Sequence, residues 1–249
     1  MATLLNNMGN LAYRRGEPER ARDLYDESLA LRRELGDKGG IATSVTNLAG
    51  IAFVRVDPEE AMSLYGEGLA LYRELGDRWG IATDFNNMGN VAYTRGDFAE
   101  AKRLYGEALV RFRELGDKQV IAVSLINLGA IAQQEGAPDQ ASRLLGESLA
   151  LCRDLRHTPG VADCLEGLAE AAVSMEDPER AVRLFAAAER LRQEIQLPLM
   201  PVERDRYSRI VSAACDRLDE ATRENAWHEG RAMPLPQVVA YALREAALV

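Results

Sequence analysis

Histidine, cysteine, lysine and aromatic residues are all scarce in this chain. Of 249 residues, 2 are histidines (His157, His228) and 3 are cysteines (Cys152, Cys164, Cys215). None stands at metal-ligand spacing, and an odd cysteine count builds no disulfide framework, so neither a metal site nor a cofactor is expected. Unpaired thiols fit a reducing compartment, the cytoplasm. The 30 Lys and Arg residues are outnumbered by 39 Asp and Glu, for a net charge of −9. Nucleic-acid binders draw most of their affinity from basic phosphate contacts, so the chain is not expected to bind DNA or RNA directly. An anionic membrane surface is not expected as a partner on the same ground. Charged residues interrupt every apolar run before transmembrane length, and no secretory signal follows Met1. The motifs GxxxxGK[ST], HExxH, CxxC and GxSxG are all missing, so no catalytic residue is assigned and the chain is expected not to be an enzyme. No segment alternates with period two, which leaves no strand to predict.

What the chain has in quantity is repetition. Written in lines of 40 residues, it aligns with itself without gaps over residues 1–40, 41–80, 81–120, 121–160 and 161–200, leaving 201–249. Asn-Asn-Met-Gly-Asn occurs at 6–10 and 86–90, and Glu-Leu-Gly-Asp at 34–37, 74–77 and 114–117. The first and third lines share 22 of 40 residues. Internal periods of this size announce stacked supersecondary units.

Each line reads as two helices. Ile41, Val45, Leu48 and Ala52 are spaced four, three and four apart, one helical face. Asp57-Pro58 then restarts the chain, Asp as N-cap and Pro at the first helical position. Asp177-Pro178 repeats the device, while Glu17-Pro18 and Ala137-Pro138 keep the Pro with a weaker cap. A second stripe (Ala61, Leu64, Tyr65, Leu69, Leu71) ends at Gly76, a left-handed C-terminal residue, and Asp77 caps the next helix. Short turns between such helices force antiparallel neighbours.

Met8-Gly9, Tyr13, Gly16, Ala21, Tyr25 and Leu29 in the first line carry a pattern that resembles the tetratricopeptide repeat, as do Met88-Gly89, Tyr93, Gly96, Ala101, Tyr105, Ala108 and Leu109 in the third. The family's common unit is 34 residues, against 40 here. The resemblance implies an all-α, right-handed superhelical solenoid of antiparallel helix pairs over 1–200, with 201–249 as a C-terminal helical cap. Cap helices are expected at about 202–218, 219–229 and 236–247, with Gly230 stopping the second. Ala226–Leu243 resembles the tail of bacterial multidomain regulators with an ATPase module and a LuxR-type or cyclase domain. That likeness, and an Arg-rich, Lys-poor composition suggestive of a GC-rich bacterial genome, imply that the chain is the helical part of a longer regulator.

In this family the first helix of each repeat lines the concave groove. That register places Asn6, Asn7, Asn10, Tyr13 and Arg14, then Asn47 and Phe53, then Asn86, Asn87, Asn90 and Tyr93, then Asn127 on the groove. Asparagine offers both donor and acceptor, so these positions suit the backbone of an extended protein or peptide partner. The Asn7, Asn47, Asn87, Asn127 series could equally bond neighbouring helices. Asp163, Glu166 and Glu170 share one face of the fifth line; they either meet Arg204 and Arg206 or await a basic partner. Tyr25, Tyr65 and Tyr105 fall at the packing position between repeats. His157 is expected in a solvated turn, and Cys152 and Cys164 as small buried groups. Two alternatives to peptide docking remain: self-association through Leu4, Leu5, Met8 and Leu11, and small-molecule sensing in the groove.

Overall fold

A computed structural model describes residues 1–199 and 201–244, with backbone alone at 201–203. Every regular element among them is helical: α1 (Ala2–Arg14), α2 (Pro18–Leu35), α3 (Lys38–Val54), α4 (Pro58–Leu75), α5 (Arg78–Thr94), α6 (Phe98–Leu115), α7 (Lys118–Gln134), α8 (Pro138–Asp154), α9 (Thr158–Ser174), α10 (Pro178–Glu194), α11 (Pro201–Cys215), α12 (Glu220–Ala232) and α13 (Leu235–Ala242). Two compact units divide the chain, Met1–Gly116 and Asp117–Val249.

The turns are the most regular part of the chain. A residue in the left-handed region recurs every twentieth position, at Gly16, Gly36, Val56, Gly76, Gly96, Gly116, Gly136, Arg156, Glu176 and Gln196. Only glycine adopts this conformation without a steric cost, so the four side-chain-bearing residues carry local strain. The backbone closes around these positions in one way: Glu17 N–H reaches Ala12 O, Asp57 N–H reaches Ala52 O and Asp97 N–H reaches Ala92 O, each at 3.0 Å. Such bonds occupy helix-end carbonyls that would otherwise be unpaired. The next helix starts at once. Asp37, Asp57, Asp77, Asp97, Asp117 and Asp177 each accept from a first-turn backbone N–H, as N-caps do. Glu17 and Ala137 make no side-chain cap, as their residue types predict.

In the first unit, α1–α2, α3–α4 and α5–α6 pack as antiparallel pairs, and α2 lies on α3 as α4 does on α5. The small residues Ala21, Ala61 and Ala101 are fully buried where helices approach closely, beside the large rings of Tyr25, Tyr65 and Tyr105. A side-chain carbon on Gly89 would collide with the Tyr105 ring at 2.6 Å, so glycine is required there for the ring to lie against the helix. Arg22 bridges to Glu60, and Lys38 to Glu74, each at 2.9 Å between successive repeats.

The second unit continues the same hairpins through α10 and then departs from them. Helix α12 lies along α10, while α13 turns back to reach α8, α9 and α10. Tyr207, Ile210, Val211, Trp227, Tyr241 and Leu243 pack onto the core of α8–α10. Gly230 does not stop α12, which runs on to Ala232. Gly230 is buried, and a side-chain carbon there would be driven into the Arg183 carbonyl oxygen. Its smallness serves helix contact, not termination. The expected 236–247 helix is observed as Leu235–Ala242; residues 245–249, like Met200, lie outside the described residues.

Candidate functional site

A cavity of 460 Å³ opens in the first unit on the faces of α1, α3 and α5. Of the residues singled out in the sequence, it gathers Asn10, Tyr13 and Arg14 from α1, Asn47 from α3 and Asn87 from α5. Thr43, Thr46 and Thr83 add hydroxyls, and Tyr25, Tyr65, Tyr72 and Trp79 add rings. Trp79 follows its cap Asp77 by two residues and is 52% exposed.

Several asparagines already have partners within the fold. Tyr25 donates its phenolic proton to Asn10 Oδ1 at 2.8 Å, and Tyr105 donates to Asn90 Oδ1 at 2.7 Å. Burial is the main cause that raises the Tyr25 hydroxyl to about 12, so it stays a donor. The equivalent pairs in the other lines are Gly50 with Tyr65, Ala130 with Leu145 and Glu170 with Phe185. Each asparagine at this position thus stands with a tyrosine, whereas Tyr65 stands opposite Gly50 with no asparagine to accept from it. Asn6 is buried and accepts from Asn47 Nδ2 at 3.0 Å, joining α1 to α3. Asn86 carries a buried Oδ1 without a partner. Asn7 is exposed, and Asn127 is half-buried on α7 in the second unit. Phe53 packs against the α3–α4 core, and Tyr93 meets Phe98 edge-on at 5.4 Å. Asn10, Asn47 and Asn87 thus face the cavity, while Asn6 and Asn90 hold helices together.

Asp84 is the group that sequence reading passed over. It is completely buried on α5 and accepts from the Thr46 hydroxyl at 3.0 Å. Burial pushes its carboxyl up to about 7, against the smaller downward pull of Thr46. At the same position the other lines carry Leu4, Ser44, Ser124 and Cys164. The departure from that series was the available signal. Gly68 makes the room: a side-chain carbon there would lie 2.7 Å from both Asp84 Oδ2 and Thr46 Oγ1.

A tetratricopeptide repeat profile matches residues 1–74, 80–154 and 120–194. The chain belongs to the tetratricopeptide repeat family. Among solved structures, BtubC (BKLC) from P. vanneervenii is similar over 79% of this chain and 81% of its own, at 22% identity and a TM-score of 0.68. A Podosopora anserina putative kinesin light chain with nearly identical TPR-like repeats aligns over 79% and 96%, at 15% identity and a TM-score of 0.63. The apo form of RapI aligns over 87% and 83%, at 14% identity and a TM-score of 0.63. These likenesses concern the fold. A search of curated protein sequences finds no significant match.

The last tetratricopeptide hairpin carries the acidic face. Arg192 spans Glu166 at 2.5 and 2.8 Å and Asp163 at 2.7 Å, while Arg206 meets Glu170 at 2.6 Å. The expected Arg204 partner is thus replaced by Arg192, which reaches across from α10; Arg204 Nε donates instead to Leu199 O. All three carboxylates are engaged by arginine rather than held open for a basic partner. His157 is not a solvated turn residue either. It is half-buried and caps α9, its Nδ1 accepting from Gly160 N–H at 3.2 Å. Cys152 and Cys164 are buried, the latter 3.3 Å from the Ser148 hydroxyl. Among the described residues, no group of three His, Cys, Asp or Glu could hold a metal ion, and no helix is long and apolar enough to cross a membrane.

Proposed function

We propose that this chain is a non-catalytic docking module that holds an extended segment of a partner protein in the cavity-bearing groove of its first unit. The observation that carries this reading is the company kept around the cavity: amides of Asn10, Asn47 and Asn87 beside the rings of Tyr13 and Trp79. Amides satisfy a peptide backbone without reading its side chains, and half-exposed rings supply the usual anchors of an interface. Among the described residues no side chain bonds Asn87, which lines the cavity, so its amide is available to a ligand. Within a longer polypeptide the module acts as the sensing or scaffolding arm of a cytoplasmic bacterial regulator, a role supported by the resemblance over Ala226–Leu243.

Selection of displayed random 12-residue peptides on the full chain tests the docking. Asn87→Ala should abolish binding of the selected peptides while the melting temperature stays within a degree or two. Peptides that bind Asn87→Ala unchanged place the site elsewhere.

A second reading is favoured by α1, where Leu4, Met8 and Leu11 are 58%, 41% and 50% exposed on one helix. An apolar stripe of this kind suits a second copy of the chain packing face to face. Light scattering across a hundredfold range of concentration decides it. A monomer throughout removes the idea.

A further inference from the structure

We infer that the cavity of the first unit receives a basic side chain of the docked segment, a lysine ammonium or an arginine guanidinium, with Asp84 as its counter-charge. This rests on the docking reading above. Asp84 lies one hydroxyl behind the cavity wall: Thr46 lines the cavity and donates to the carboxylate at 3.0 Å. No cationic side chain of the described residues bonds it. Among the described residues no cation offsets its charge. Helix α3 presents Thr43 and Thr46, α4 presents the Tyr65 and Tyr72 phenols, and the start of α5 adds Asp77, a second acid. Buried charges are normally paired or hydrogen-bonded on all sides, so this one lacks a partner that the cavity can supply.

The cavity wall is chemically matched to a cation. Tyr13 and Trp79, 45% and 52% exposed, line it with aromatic surface, and the negative quadrupole of an aromatic ring attracts ammonium and guanidinium groups. The Thr83 hydroxyl is buried in the same wall and has no partner. The acid is also accommodated rather than merely tolerated. Where the other lines hold Ser28, Ala108, Ser148 and Ala188, the second line has Gly68, which opens the space that Asp84 of the third line fills. Perturbed acids with a dedicated niche beside a cavity are characteristic of binding sites. Arg14 lines the same cavity, at a register position ten residues beyond that of Asp84, which is about 15 Å along a helix axis. The segment that fits carries its basic residue toward Asp84 and its acidic one toward Arg14.

The test uses the full chain, with n-butylammonium and the neutral 1-butanol as probes, followed by amide NMR. At pH 8 the ammonium should shift the signals of Thr46, Gly68 and Asp84 and bind at least tenfold more tightly than the alcohol. At pH 5.5 that preference should fall at least fivefold, because Asp84 is then protonated. Asp84→Asn should remove the preference at pH 8, with helicity retained as the control of folding. Equal binding of the two probes, or a preference that survives Asp84→Asn, overturns the proposal. Peptide display separates this failure from failure of the docking reading. Groove-dependent peptides without an enriched Lys or Arg overturn the cation subsite and leave docking intact. Ammonium binding at Asp84 with no groove-dependent peptide overturns the docked side chain and makes a free amine the ligand.

Discussion

Tyr105 donates its phenolic proton to the Asn90 side-chain carbonyl across 2.7 Å, closing α6 onto α5 inside one hairpin. Removing the acceptor leaves a buried hydroxyl unpaired, which costs about 1–3 kcal/mol. Asn90→Ala should therefore lower stability by that amount in urea unfolding. Tyr105→Phe in the Asn90→Ala background should recover most of the loss, because both polar partners are then gone. Ala130 facing Leu145 at the equivalent positions of the fourth line is the natural form of that double change. Additive losses from the two substitutions would show that the bond contributes nothing of its own.

The Asp84 carboxyl, raised to about 7 from its ordinary 3.8, makes stability depend on pH. A raised acid favours folding while it is protonated. Stability from this group is complete below about pH 4, declines as pH rises through 7 and is level above that. At 1.36 kcal/mol per pH unit the whole decline is at most about 4 kcal/mol. Asp84→Asn should flatten that part of the pH profile and melt higher than the parent at pH 8. An unchanged profile would show that the carboxylate is solvated at little cost.

Arg192 and Arg206 should behave differently although each pairs with acids of the same helix. The Arg192 side chain is 13% exposed and Glu166 14%, whereas Arg206 is 50% exposed. Removing one member of a fully buried ion pair costs about 3–5 kcal/mol, and of this partly buried one less. An exposed arginine contributes about 0–1 kcal/mol. In urea unfolding, Arg192→Ala should be the more damaging by at least 1 kcal/mol, with little relief from salt. Equal effects would mean that burial does not govern these pairs.

Glycines of the second helices offer a contrast. Gly66 and Gly106 have nothing within 4 Å of a built side-chain carbon, so Gly66→Ala and Gly106→Ala should each stabilise by up to about 1 kcal/mol. Gly230→Ala forces a methyl against the Arg183 carbonyl and should destabilise by about 1–3 kcal/mol, loosening α12 from α10. Hydrogen exchange localised to α12 and α13 checks which part opens.

The helices, their pairing and their caps were legible because each depends on residues near in sequence. Asp57-Pro58 and Gly76-Asp77 set their helix ends within a turn, and the 40-residue register repeated the message. Which groove asparagines remain free was not legible. Asn90 is engaged by Tyr105, fifteen residues away on another helix, while the same spacing has the tyrosine alone in the second line and neither group in the fourth. Arg192 is an exchange of the same kind: it occupies the position of Arg32, Tyr72, Phe112 and Cys152, so its acidic partners could not be inferred from the repeat. Gly230 looked like a stop because terminal glycine and close-contact glycine are the same letter.

The left-handed residue at every twentieth position has a consequence for how this chain can change length. An α-helix advances 100° per residue, so one inserted residue rotates everything up to the next turn by that angle. The buried alanine row would swing toward water and an exposed charge into the core. Each twenty-residue half therefore behaves like a reading frame, in which single insertions and deletions are frameshifts of shape rather than of codons. The turns resume the phase only when whole halves are gained or lost together. Five lines that align without a gap are what selection against such shifts leaves behind, even where, as at Val56 and Arg156, the glycine itself has been replaced.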